Sequence, residues 1–223
     1  MEITKYDVFI IGSGTAGQTV AKVCAAKGLK VGISDNRVYG GVCPNRGCMP
    51  KKVLLAPTEA VELCKSLSSK SLINEPVIDW KKLQKFKRKF TAHIPPAVED
   101  NLKDSNIKLY HQSPQFIDDH TLSVEGKTIH AKNIVIATGL VPRKLHFKGS
   151  ELLNNSDDFL DMKKLPKSIV FIGAGYIGME FAHMAARCGS EVTMIEHGDS
   201  ALKSFDADLV SELIESSKKL GIQ

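Results

Sequence analysis

The chain has 223 residues, enough for one large or two small domains, with 43% hydrophobic and 25% charged residues, an ordinary soluble composition. A net charge of +5 is too mild and too dispersed to imply a nucleic-acid partner, and no apolar run is long enough to span a membrane. The five cysteines form a sparse, odd set, which fits a reducing cytoplasm, and the start of the chain lacks a basic leader and cleavage site, so no signal peptide is expected.

The first element in chain order is "YDVFII", an apolar run suited to a buried parallel strand. It leads into Gly12-Ser13-Gly14-Thr15-Ala16-Gly17, then into a helical pattern with Ala16, Val20, Val23 and Ala26 on one side, ending near Gly28. A second strand, "KVGIS", ends at Asp35. Gly12 permits the tight turn, Gly14 a close approach of a pyrophosphate, and Gly17 close helix–strand packing. The helix N-terminus offers N–H groups and partial positive charge to phosphates, and Asp35 can accept from a ribose diol. The glycine pattern alone is a weak signal; strand, helix and acid in their places make it strong.

Next comes "GGVCPNRGCMPKK", residues 40–52, with Cys43 and Cys48. Five residues of regular helix rise about 7.5 Å, whereas a disulfide needs alpha carbons within about 7 Å. A bridge therefore requires Cys43 in an irregular turn ahead of the helix, or in a distorted first turn. Gly40, Gly41, Pro44 and Gly47 suit such a turn, and Pro50 suits the first turn of the helix that follows. Pro57 is a potential bend in that helix. Cys48 near a helix N-terminus, beside Lys51 and Lys52, is placed to form a thiolate. A zinc site wants four ligands, and no second close Cys or His pair accompanies this one; a structural staple on so small a loop gains little in a reducing compartment. The pair therefore reads as a reversible dithiol/disulfide. Cys24, Cys64 and Cys188 fall on apolar helical patterns and read as small core residues.

Further along, Trp80, Leu83, Phe86 and Phe90 recur at helical spacing with lysines on the other faces, read as a solvated basic face, and Pro95-Pro96 should break the helix. Residues 107–137 read as short strands and turns ("IKLYHQ", "TLSVEG", "KTIHAKNIVIATG"), a small sheet packed on the first unit. Polar residues and Val141-Pro142-Arg143 mark a boundary near residue 148. Then the opening pattern repeats: "SIVFI", Gly173-Ala174-Gly175-Tyr176-Ile177-Gly178, a helix to about Cys188, and "EVTMIE" ending at Glu196. The same interval separates Gly17 from Asp35 and Gly178 from Glu196. Two dinucleotide sites suggest two cofactors exchanging a hydride, a nicotinamide nucleotide and a flavin dinucleotide. Glu196 favours NAD, since it would accept from a 2′-hydroxyl and repel a 2′-phosphate; His197 and Lys203 argue weakly for NADP.

These motifs resemble the pyridine-nucleotide disulfide oxidoreductases, the group of glutathione reductase, dihydrolipoamide dehydrogenase and mercuric reductase. "GGVCPNRGCMPKK" resembles the active-site stretch, "NIVIATG" the passage from flavin to nicotinamide domain, and "GAGYIGMEFA" the nicotinamide fingerprint. The resemblance implies an α/β fold with two Rossmann-like, doubly wound parallel units, the first with a small antiparallel insertion and the second incomplete. It implies an FAD-binding domain over 1–148 and part of an NAD(P)-binding domain over 149–223. Gly12, Ser13, Gly14, Thr15, Ala16, Gly17, Asp35, Asn36, Gly41, Val42, Lys52, Ala137, Thr138 and Gly139 would hold FAD. Gly173, Ala174, Gly175, Tyr176, Ile177, Gly178, Glu196 and His197 would hold the nicotinamide nucleotide. Cys48 would be the flavin-side thiol, forming a charge-transfer contact in the reduced enzyme, and Cys43 the exposed interchange thiol that attacks a disulfide substrate. Lys51 or Lys52 would pair with Glu180, and Tyr176 would cover the flavin face.

Two positions depart from the pattern, Val42 for a usual threonine and Pro44 for a usual leucine or valine. Family chains run far longer and form homodimers, with a His–Glu pair supplied to the partner's thiols; none of the seven histidines here sits in that motif. A truncated reductase is therefore expected. A non-catalytic FAD- and NAD-binding half-chain is the alternative, and neither nucleic acid nor membrane is an expected partner.

Overall fold

The computed structural model describes residues 3–68, 70, 74 and 76–223. In chain order it contains β1 (Ile3–Ile11), α1 (Thr15–Ala26), β2 (Val31–Ser34), α2 (Val42–Arg46), α3 (Cys48–Ser68), α4 (Trp80–Thr91) and α5 (Ile94–Asp104). There follow β3 (Lys108–Tyr110), β4 (Gln115–Phe116), β5 (Thr121–Val124), β6 (Lys127–Ile136), α6 (Ser156–Asp161), β7 (Ser168–Ile172), α7 (Tyr176–Arg187), β8 (Glu191–Ile195) and α8 (Ala207–Lys219). The chain divides into two compact units. One runs to Pro50 and resumes at Lys89–Leu152; the other joins Lys51–Arg88 to Leu153–Gln223. The chain crosses between the units three times, after Pro50, Arg88 and Leu152, and Lys51–Arg88 go with the second unit.

The first unit is built on one six-stranded sheet of order β3-β2-β1-β6-β5-β4. β1, β2, β3 and β6 run parallel, as apolar strands buried on both faces do. β4 and β5 pair antiparallel and continue the same sheet through β6, so the 107–137 strands are not a separate sheet packed on the unit. One face of the sheet buries Val8, Ile10, Val31 and Ile33 with Ala21 and Leu102; the other buries Tyr6, Phe9, Tyr110 and Ile129. α1 packs through Gly17 and Ala21, with Val20, Cys24 and Ala25 partly covered, whereas Val23 is 52% exposed. The inward face is thus not the one that contains Val23: Gly17 and Ala21, small residues one turn apart, allow a close approach to β1.

The second unit pairs β7 and β8 in parallel and packs α7 against them. Its core gathers Leu54 of α3, Trp80 and Leu83 of α4, Phe159 of α6, and Phe181 and Met184 of α7. Phe159 and Phe181 stack with ring centroids 4.4 Å apart. α4 turns Trp80, Leu83, Gln84 and Lys87 inward, and Phe86 and Phe90 are about half exposed, 48% and 42%. The expected stripe holds at its start and drifts, because Lys87 buries its stem and donates its ammonium to the Leu160 carbonyl at 2.6 Å and to Asp161 at 2.9 Å. The expected break at Pro95-Pro96 is there: both open α5, where a missing N–H is tolerated. α3 runs on through Pro57. Gln223 donates to the Val192 carbonyl and accepts from Met194 N, a second backbone pairing for β8.

Candidate functional site

Each unit ends its first strand in the same turn. Gly12 has φ +110°, and a Cβ there would fall 2.2 Å from the Ala137 carbonyl oxygen; at Gly17 it would fall 1.9 Å from the Gly12 oxygen. Both positions therefore exclude any other residue. In the second unit Gly173 has φ +99°, and a Cβ at Gly178 would fall 2.5 Å from the Gly173 oxygen. Gly12 N donates to the last carbonyl of β2 at 2.7 Å, and Gly173 N to the last carbonyl of β8 at 2.7 Å. Gly14 and Gly175 stand at the N-caps of α1 and α7 and supply no side-chain cap. The first-turn N–H groups are thus left to whatever meets the helix end.

The two acids close the turns in the same manner. Asp35 Oδ2 accepts from Ser13 N at 2.9 Å and Ser13 Oγ at 2.6 Å, and Oδ1 accepts from Arg37 N at 2.9 Å. Glu196 Oε2 accepts from Ala174 N at 2.7 Å and Oε1 from Gly198 N at 2.8 Å. These two N–H donors hold the Glu196 carboxyl below the usual range. A carboxylate has about four acceptor sites, so room remains on each acid for ribose hydroxyls.

The cysteine loop is docked on the first turn. Gly41 has φ +74°, and a Cβ there would fall 2.5 Å from the Gly14 alpha carbon. Gly40 N donates to Ser13 Oγ at 3.2 Å, so one hydroxyl links Asp35 to the loop. Asn45 Nδ2 donates to the carbonyls of Tyr39 and Gly41 at 2.9 and 3.0 Å. Cys43 lies in α2 and Cys48 opens α3; Gly47, with φ −147° and ψ −110°, interrupts the helix between them. Cys43 therefore sits in a short helix rather than in the irregular turn expected for it, and the irregularity lies at Gly47, where a Cβ would sit 3.4 Å from the Cys43 alpha carbon. Both residues carry thiols, and the exposure is the reverse of that expected: Cys48 is exposed and Cys43 half-buried.

In the second unit Lys51 Nζ lies 2.6 Å from Glu180 Oε1, so the geometry pairs Glu180 with Lys51 and leaves Lys52 exposed. Ala137 N donates to the Ile11 carbonyl at 2.8 Å, which sets the end of β6 against the glycine turn. Thr15, Ala16, Asn36, Val42, Thr138 and Gly139 in the first unit, and Tyr176, Ile177 and His197 in the second, stand exposed and take no part in either clasp. Sequence reasoning missed Asn45, which ties down the cysteine loop, and Gln18, whose Nε2 donates to the Ser13 carbonyl at 2.8 Å. It also missed Tyr39, buried beneath the loop with its hydroxyl 2.8 Å from the Tyr110 carbonyl. Only the amide of Asn45, between two glycines in an irregular turn, carries a local signal.

The family description pyridine nucleotide-disulphide oxidoreductase matches residues 6–223. The chain belongs to this family. It is 32% identical to a glutathione reductase of Nostoc sp. over 98% of the chain and 48% of that protein. It is 34% identical to the dihydrolipoyl dehydrogenase of Mycoplasma genitalium over 98% of the chain and 50% of that protein, and 33% identical to a mercuric reductase of Lysinibacillus sphaericus over 95% and 39%. Among solved structures it resembles the HOCl-induced flavoprotein disulfide reductase RclA of Escherichia coli, in a Cu(II) complex, with a TM-score of 0.83 and 29% identity over 99% of this chain and 49% of that one. The chain thus spans about half the length of most of the relatives it matches. Among its described residues no helix is long and apolar enough to cross a membrane, and no group of three or more His, Cys, Asp or Glu could hold a metal ion.

Proposed function

We propose that the chain is the nucleotide-binding and dithiol portion of an FAD-dependent NAD(P)H:disulfide oxidoreductase. The observation that carries this reading is the contact of Gly41 with Gly14, which fixes the cysteine loop on the first dinucleotide turn. The residues fit the cofactors. At Gly175 a Cβ would meet nothing within 4 Å, and at Gly14 only the Gly41 alpha carbon at 3.9 Å, so each turn offers open space ahead of an uncapped helix N-terminus. Gly12 to Gly17 and Asp35 would hold the pyrophosphate and ribose of FAD. Gly173 to Gly178 and Glu196 would hold those of the nicotinamide nucleotide, with NAD favoured over NADP because the Glu196 carboxylate repels a 2′-phosphate. Bound FAD supplies two-electron exchange between a nicotinamide and the thiols.

The chain's own residues do the sulfur chemistry. As a thiolate, Cys43 attacks one sulfur of a substrate disulfide, and the other leaves as a thiol. Cys48 then displaces the bound sulfur from the mixed disulfide, so the substrate ends as two thiols and the pair as a disulfide. Cys48 opens α3, where the helix N-terminus favours negative charge. Lys51, neutralised by Glu180, and Tyr176 would border the flavin. The full-length protein would act as a homodimer on a small-molecule or protein disulfide, or run in reverse on a dithiol.

The test uses the flavin-loaded protein. Cys48→Ser is expected to abolish NADH-dependent thiol formation while reduction of a dye acceptor survives. Thiol formation at the unsubstituted rate in that variant overturns the proposal.

A further inference from the structure

The second unit contains an open surface depression of about 480 Å3 that none of the chemistry above uses. Asp79, Trp80 and Lys81 at the start of α4 line one side of it, and Lys163, Lys164 and Lys167 ahead of β7 line the other. The turn after α7 completes the wall. These turns precede β7 and β8, whereas the glycine turn and Glu196 follow them. About 16 Å of strand therefore separates the depression from the dinucleotide turn.

The charge in this depression is one-sided. Asp79 is the single carboxylate in the lining, and it is already engaged: Oδ1 accepts from Lys82 N at 3.0 Å, and Oδ2 lies 3.6 Å from Lys82 Nζ. Among the described residues, Lys81, Lys163, Lys164 and Lys167 form no ion pair with a carboxylate. Four lysines border this one open depression, with Asp161 acting electrostatically on Lys163 from outside the lining, and an excess of positive charge there raises the local concentration of anions. The Trp80 ring beside them is fixed by its Nε1–H donating to the Met162 carbonyl at 2.7 Å.

We propose that this depression binds a small, multiply charged anion carrying two or more phosphoryl or carboxylate groups. It is a site separate from the dinucleotide turn of its own unit. Inorganic tripolyphosphate and citrate are the probes, titrated by calorimetry into the full chain with FAD and NAD+ in excess. Emission of Trp80, the single tryptophan of the chain, is read in parallel. Saturable one-site binding of either probe is expected, weakening as NaCl is raised; which probe binds tells phosphoryl from carboxylate recognition. The triple variant Lys163→Ala, Lys164→Ala, Lys167→Ala should weaken it at least tenfold, and Lys5→Ala, on the other unit, should leave it unchanged. Lys81→Ala carries the same prediction at threefold or more if the triple variant does not fold. Absence of saturable binding by both probes, an unchanged dissociation constant in the lysine variants, or binding that appears only when NAD+ is left out overturns the proposal.

Discussion

At the scale of single residues, Gly41 combines a close backbone neighbour with a left-handed conformation. A non-glycine residue at φ +74° costs about 1–3 kcal/mol, and its Cβ would also press on Gly14. Gly41→Ala is expected to lower stability in urea by about 2 kcal/mol or more and to cost the protein its bound flavin. Val42→Thr, at an exposed neighbour, should do neither. His183 sets a pH dependence. Its Nε2 lies 2.8 Å from Ser217 Oγ, and burial pushes its pKa down, helped by Arg187 and opposed by Glu62. The folded state therefore favours the neutral ring: the stabilisation is present above about pH 6.5 and is lost as pH falls through that value toward the folded pKa. Urea midpoints should drop between pH 7.5 and pH 5, and His183→Gln should flatten that drop. Asp161, whose carboxyl is held low first by Lys87, loses its contribution only as pH falls below the ordinary carboxylate range, so the two windows separate.

Elements show why some of the architecture was legible in the sequence and some was not. A strand, a glycine turn, a helix and an acid are consecutive, so both nucleotide units could be read from neighbouring residues. A break before the Cys48 helix was legible from the glycines and prolines around it, but its place at Gly47, after a helical Cys43, was not. The inward face of α4 did not, because its burial is decided by Leu160 and Asp161, more than seventy positions away. Lys87 reads as a surface charge until the carbonyl that accepts from it is placed. Likewise the face of α1 was set by which side could approach β1, not by which side was more apolar. Lys87→Met is expected to cost about 1–3 kcal/mol in urea unfolding, since it leaves the Leu160 carbonyl without this donor. Asp161→Asn should cost under about 1 kcal/mol, because that carboxylate is largely solvated. Equal losses from the two variants would place the energy in the ion pair instead.

At the scale of the whole molecule, the second unit draws its core from two separate stretches of chain. Leu54, Trp80 and Leu83 arrive before residue 88, and Phe159, Phe181 and Met184 after residue 153. A fragment ending at residue 148 would keep the first three without their partners. It is expected to bind a hydrophobic dye and aggregate, while adding Leu153–Gln223 in trans should reduce both; a soluble, dye-silent fragment would show that the core tolerates the cut. The paired turns have a further implication. The same acid-to-amide latch occurs twice, yet only the first copy is followed by a segment bearing two sulfurs. Duplicating such a latch multiplies places to park a nucleotide without multiplying reactivity. Grafting residues 36–48 after Glu196 would therefore be the minimal way to ask whether a second redox centre can be written into an old binding scaffold.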